Sequence, residues 1–96
     1  MKQYIFPAVF YKGIDDEGFV VAFDDVDLFC TGTTVEEAYS MAKRMFTDFV
    51  KLSLEINGEV EEKPRSYLDS VKHHKGKIVL LISAEIKERA GAGVAV

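Results

Sequence analysis

Paired cysteines are the first thing this chain lacks. Cys30 is its one cysteine, so no intrachain disulfide can form, which favours a reducing compartment. It reads as a small buried hydrophobe, since a reactive thiol needs a base beside it in space. An excess of bases is missing too. Sixteen acids against twelve bases give a net charge of −4, and the bases are scattered. Proteins that grip nucleic acid usually neutralise phosphates with a basic patch, so direct DNA binding is not expected. An acidic chain suits a basic protein partner, because complementary charge speeds encounter. Long apolar runs are also absent. A run such as residues 78–82 falls far short of the ~20 that span a bilayer. Met1-Lys2-Gln3 passes straight into Tyr4-Ile5-Phe6-Pro7, without a signal peptide's apolar core and cleavage site. The expectation is a cytoplasmic protein with no membrane association.

Catalytic signatures are equally scarce. There is no GxSxG, no phosphate-binding glycine loop and no CxxC. Asp15, Asp16, Glu17, Asp24, Asp25 and Asp27 are the acids a divalent cation would want. They lack the calcium-loop spacing and read as solvated turns. His73 and His74 are adjacent, whereas zinc sites favour spaced pairs with further ligands. Thr31-Gly32-Thr33-Thr34 reads as a helix cap and not as an anion site. Neither a cofactor nor a metal is expected, and no catalytic activity.

What is present fits one small domain of 96 residues. Residues 3–11 are aromatic and β-branched and predict a strand. Tyr4, Phe6, Ala8 and Phe10 share one face, and Ile5, Pro7, Val9 and Tyr11 the other. Pro7 donates no ladder bond, which predicts a free edge or a bulge there. A glycine-flanked acidic turn over 12–18 leads to an antiparallel strand over 19–23. An acidic turn then precedes a short strand over 28–31. Thr34-Val35-Glu36-Glu37 has the form of a capping box. After it Val35, Ala38, Ala42, Met45, Phe49, Leu52 and Ile56 recur at three and four, and Asn57-Gly58 gives a stop. Residues 59–66 are a polar loop, 67–71 a short helical turn and 73–76 another turn. The last strand, 77–86, is apolar on both faces, as a central strand would be. The domain spans 1–86, and the glycine-containing residues 87–96 read as a frayed tail.

This order leaves an imbalance. One helix covers one face of a four-stranded sheet, yet three strands are apolar on both. The second face holds Ile5, Val9, Tyr11, Val20, Ala22, Val79 and Leu81. Leaving such side chains wet forfeits about 1.5–3 kcal/mol each, and monomers rarely expose large apolar patches. A second copy, a different protein, or a segment folded back from 59–76 must cover it. Self-association is the favoured expectation.

Taken in order, three stretches resemble a known family. They are Tyr4-Ile5-Phe6-Pro7-Ala8-Val9-Phe10, then Gly18-Phe19-Val20-Val21-Ala22-Phe23-Asp24-Asp25, then Cys30-Thr31-Gly32-Thr33-Thr34-Val35-Glu36-Glu37-Ala38. Together they look like the N-terminal domain of HicB-type antitoxins. The resemblance implies an α+β, partial RNase H-like fold: a three-stranded antiparallel meander, one long helix and a fourth strand, βββαβ. It implies a homo-oligomer that binds and inhibits a small basic RNA-cleaving toxin of the HicA type. The family's PDLPG turn is here Asp24-Asp25-Val26-Asp27-Leu28-Phe29, without its prolines and glycine. Many members continue into a DNA-binding helical domain. The short stretch after the last strand is too small for one, so no separate DNA-binding domain is expected. The binding surface is expected to be acidic and aromatic, drawn from Tyr11, Asp15, Asp16, Glu17, Asp24, Asp25 and Asp27. Two rival readings are a stand-alone oligomerisation module and a metal-dependent nuclease built on the acidic turns.

Overall fold

The computed structural model describes residues 2–13 and 17–87. Its elements are β1 (Lys2–Lys12), β2 (Phe19–Phe23), β3 (Phe29–Gly32), α1 (Val35–Asn57), α2 (Tyr67–His73) and β4 (Ile78–Ile86). The strands form one sheet in the order β3-β2-β1-β4, with every neighbouring pair antiparallel. This is the α+β arrangement the sequence predicts, three strands, a long helix and a fourth strand, with one short helix added before β4. Asp15, Asp16 and the tail over 88–96 lie outside the described residues.

Strand alternation decides which residues meet α1. The registers Phe10↔Val21, Ala8↔Phe23, Phe6↔Ile82 and Tyr4↔Ala84 place the even residues of β1 on one face. There Phe6, Ala8, Phe10, Val21, Phe23, Cys30, Ile82 and Ala84 form the core with Ala38, Ala42, Phe46 and Val50 of α1. Phe46 is its centre, with ring centroids 5.0 Å from Phe6 and 5.3 Å from Phe23. Cys30 is buried in this layer, as expected of it.

The helix begins where the capping residues require. The Glu37 N–H donates to Thr34 Oγ1 at 3.0 Å, satisfying one of the first-turn donors. The Glu37 carboxylate reaches back, but to Thr33, accepting from its N–H at 2.7 Å and its hydroxyl at 3.0 Å. The reciprocal bond of the box thus lands one residue early. At the other end Gly58 takes the left-handed conformation, φ 78°, and its N–H donates to the Leu54 carbonyl.

The apolar stripe departs from its predicted course. A strict seven-residue repeat drifts about 20° per heptad on a straight helix. Over 23 residues the drift carries Leu52 and Ile56 out of the core, to 55% and 69% exposed. Phe46 and Val50 take the buried positions instead.

One further expectation is corrected. β4 is an edge strand and not a central one. Its apolar character on both faces has another origin: Ile82 and Ala84 pack in the α1 layer, while Val79 is buried on the far side. Of the covers expected for the far face, the one present among the described residues is the segment folded back from 59–76. The segment before β4 folds back over it, and Pro7, Val9 and Val79 are buried there. Pro7 sits where the β1–β2 register ends, at Ala8↔Phe23, so the predicted free edge near it exists.

Candidate functional site

The acidic turn after β2 makes four side-chain hydrogen bonds to the segment before β4. Its backbone follows from strand parity. Phe23 faces α1, so Asp24 is turned to the far face, where α2 lies. The Asp24 carboxylate accepts from the buried Ser70 hydroxyl and faces His74 Nε2 at 2.6 Å. Asp25 binds the same segment: its carboxylate accepts the Arg65 N–H at 3.0 Å and the Arg65 Nε–H at 3.3 Å. Neighbouring acids thus hold both ends of α2. The Asp24 side chain is only 7% exposed. Burial pushes its carboxyl upward, but the Ser70 and His74 hydrogen bonds and the His74 and Arg65 charges together hold it below its ordinary value. An ionised Asp24 only accepts, so His74 Nε2 carries the hydrogen and donates.

Serine, aspartate and histidine in one cluster invite a catalytic reading, which the geometry opposes. In a hydrolytic triad the imidazole lies between serine and carboxylate and removes the serine proton. Here the carboxylate lies between serine and imidazole. Ser70 is wholly buried, so no substrate carbonyl reaches its oxygen. The cluster is a clasp that fastens α2 to the sheet.

The clasp relocates two of the expected binding residues. Asp24 and Asp25 face inward and are taken up in these bonds. Asp27 and Glu17 are exposed. Tyr11 is at the surface, with Lys77 Nζ 5.8 Å from its ring centroid, while Asp15 and Asp16 lie outside the described residues. Glu17 and Asp24 lie beyond opposite ends of the five residues of β2, roughly 23 Å apart at strand rise. Glu17 and Asp24 therefore belong to no common cluster. Among the described residues no three His, Cys, Asp or Glu side chains converge as a metal site would require.

Arg65, Ser70 and His74 were not singled out from the sequence as partners for these acids. A local signal existed: Ser66-Tyr67-Leu68-Asp69 has the start of a capped helix, and the Asp69 N–H does donate to Ser66 Oγ at 3.1 Å. Its pairing with residues forty or more positions away had none.

The second feature is apolar. α2 buries its serine and turns Tyr67, Leu68 and Val71 outward. Of the far-face residues, Ile5, Tyr11 and Leu81 are exposed, and Phe29 of β3 is 68% exposed. Leu81 opposes Pro7 and is a diagonal neighbour of Ile5. The folded-back segment therefore covers the middle of the face and leaves an apolar border.

No helix among the described residues is long and apolar enough to cross a membrane. No protein-family model, no curated protein and no solved structure matches this chain.

Proposed function

We propose that this chain is a HicB-like antitoxin domain: a cytoplasmic protein that self-associates and neutralises a small basic RNA-cleaving toxin of the HicA type. The observation that carries the reading is the apolar border of the far face, with Ile5, Phe29, Leu68 and Leu81 exposed on a chain of net charge −4. A protein partner recovers the burial these side chains forgo, and a basic one answers the charge. The βββαβ order is also the one the family resemblance implies. With Asp24 and Asp25 engaged in the clasp, the acidic part of the proposed surface falls to Glu17 and Asp27, which are exposed. Tyr11 supplies the aromatic part.

The test is to recover partners of the tagged chain from its own cells and assay them for RNA cleavage with and without the chain. The expected result is a short basic ribonuclease that the chain silences. Recovery of no such protein, or a ribonuclease whose activity the chain leaves unchanged, overturns the toxin reading. Sedimentation of the chain alone tests self-association separately. A mass that stays monomeric on concentration removes that part.

A further inference from the structure

β1 outruns its neighbour on one side. Its register with β2 begins at Ala8↔Phe23, and the last bond across that seam runs from the Asp24 N–H to the Pro7 carbonyl at 3.5 Å. Its register with β4 continues to Lys2↔Ile86. Among the described residues the main chain from Lys2 to Phe6 is thus paired on one side only.

Ladder alternation says which groups are left over. The Pro7 carbonyl points to the β2 side, and successive residues alternate. Gln3 and Ile5 therefore aim their N–H and C=O groups to that same side, beyond the end of β2. The parity is confirmed on β4, where Leu81 and Ser83 stand opposite Pro7 and Ile5. They turn their carbonyls away from β1, and α1 closes that edge. Tyr39 donates its hydroxyl to the Leu81 carbonyl at 3.3 Å, and Lys43 Nζ donates to the Ser83 carbonyl at 2.8 Å. Among the described residues the β1 edge has no such cover. No loop or side-chain hydrogen bond among the described residues reaches the main chain of Gln3 or Ile5, and the Gln3 side chain goes to Glu85.

A trough of about 350 Å³ runs along this edge, with the chain over 58–64 as its other wall. Phe6, Leu54 and Val60 give it an apolar part, while the charges of Glu59 and Glu62 are matched by those of Lys2 and Lys63. Charge therefore does not choose the occupant; the main-chain row does. Donors and acceptors repeating every second residue are matched along their length by another extended main chain. A small molecule meets one such pair at most. A second copy of this chain is a poor fit, because its own β1 edge is walled by its own 58–64 segment and its edge strand β3 offers only four residues.

We propose that this trough receives an extended segment of a partner protein, which adds to β1 in line with β2. Alternate side chains of that segment enter beside Phe6, Leu54 and Val60 and are small or β-branched. The assignment stands apart from the toxin reading, since any partner with a free extended segment satisfies it.

The probe is a displayed library of short random peptides, panned against the full chain. Enriched peptides are expected to alternate β-branched with polar residues and to lack proline at their centre. They slow amide exchange at Gln3 and Ile5, which exchange freely in the chain alone. Ile5→Pro removes an N–H that β4 does not use, so it preserves the sheet. It weakens peptide binding roughly tenfold, the worth of one main-chain hydrogen bond. If that variant does not fold, the amide map of the unsubstituted chain decides alone. An empty selection, or binders that protect other amides, overturns the proposal. So does protection of Gln3 and Ile5 in the chain alone: independent of concentration it assigns the trough to the chain's own segment, and rising with concentration it assigns it to a second copy. A failure to inhibit any ribonuclease leaves these results untouched.

Discussion

Asp24 follows an apolar strand and precedes another acid, a context that reads as a solvated turn. Its carboxylate is instead the acceptor for a buried hydroxyl and a histidine. Unpartnered, a carboxylate in that position would cost several kcal/mol of desolvation; with its donors in place it locks the turn to α2. The folded chain holds its carboxyl below the ordinary value. Its contribution is therefore fully present above the unfolded value of about 3.9 and drains as pH falls through the folded value. Glu37 and Glu85 are lowered as well, Glu37 chiefly by the Thr33 N–H and Glu85 chiefly by the Gln3 side chain, and they act in the same direction. Asp24→Asn is expected to lower stability by about 1–3 kcal/mol near neutrality and to flatten, without abolishing, its loss below pH ~4. Urea unfolding of both proteins across that range measures it. Parallel pH curves would sink the assignment of Asp24 as an acid-sensitive fastener.

At the scale of elements, the junction between β3 and α1 leaves no room for a side chain at Gly32. A Cβ added at Gly32 would lie 2.4 Å from the Ala38 nitrogen and 2.7 Å from its Cα. Both are main-chain atoms, which cannot swing aside as a long side chain can. Gly32→Ala should therefore push α1 off the sheet, at about 1–3 kcal/mol or more. A domain of this size loses about 4–8 °C of melting temperature per kcal/mol. Thermal unfolding of the variant checks this, and an unchanged midpoint would contradict the close approach. The two helices divide the work unequally. α1 is held by a wide apolar face around Phe46. α2 is held by Ser70, His74 and the neighbouring Arg65, and its apolar residues look outward.

For the whole molecule, this inverted helix separates residues that maintain the fold from residues available to a partner. Phe29→Asp and Leu81→Asp change exposed side chains at the border of the far face. Each is expected to alter stability by no more than about 0.5 kcal/mol, as surface changes do. Both should weaken partner binding severalfold, measured by titration against the captured ribonuclease. Val9→Asp supplies the contrast, since Val9 is buried under the folded-back segment and its substitution should unfold the chain. If the two border variants bind as well as the unsubstituted protein, the interface lies elsewhere.

Much of this was legible before any coordinates. The three-and-four spacing after Thr34 and the Gly58 stop define α1 within a residue, because caps and periodicity are local. The alternation in β1 and β2 and the short connection between them define the hairpin for the same reason. Surplus apolar residues on both strand faces showed that something more than α1 must cover the sheet. What covers it was decided by tertiary structure. Asp24 finds Ser70 and His74 at separations of 46 and 50 residues, and no local pattern encodes which distant donor meets an acid. The edge position of β4 and the open groups of Gln3 and Ile5 are of the same kind. A strand's hydrophobicity reports how many of its faces are covered, while strand order depends on which neighbour arrives at each edge.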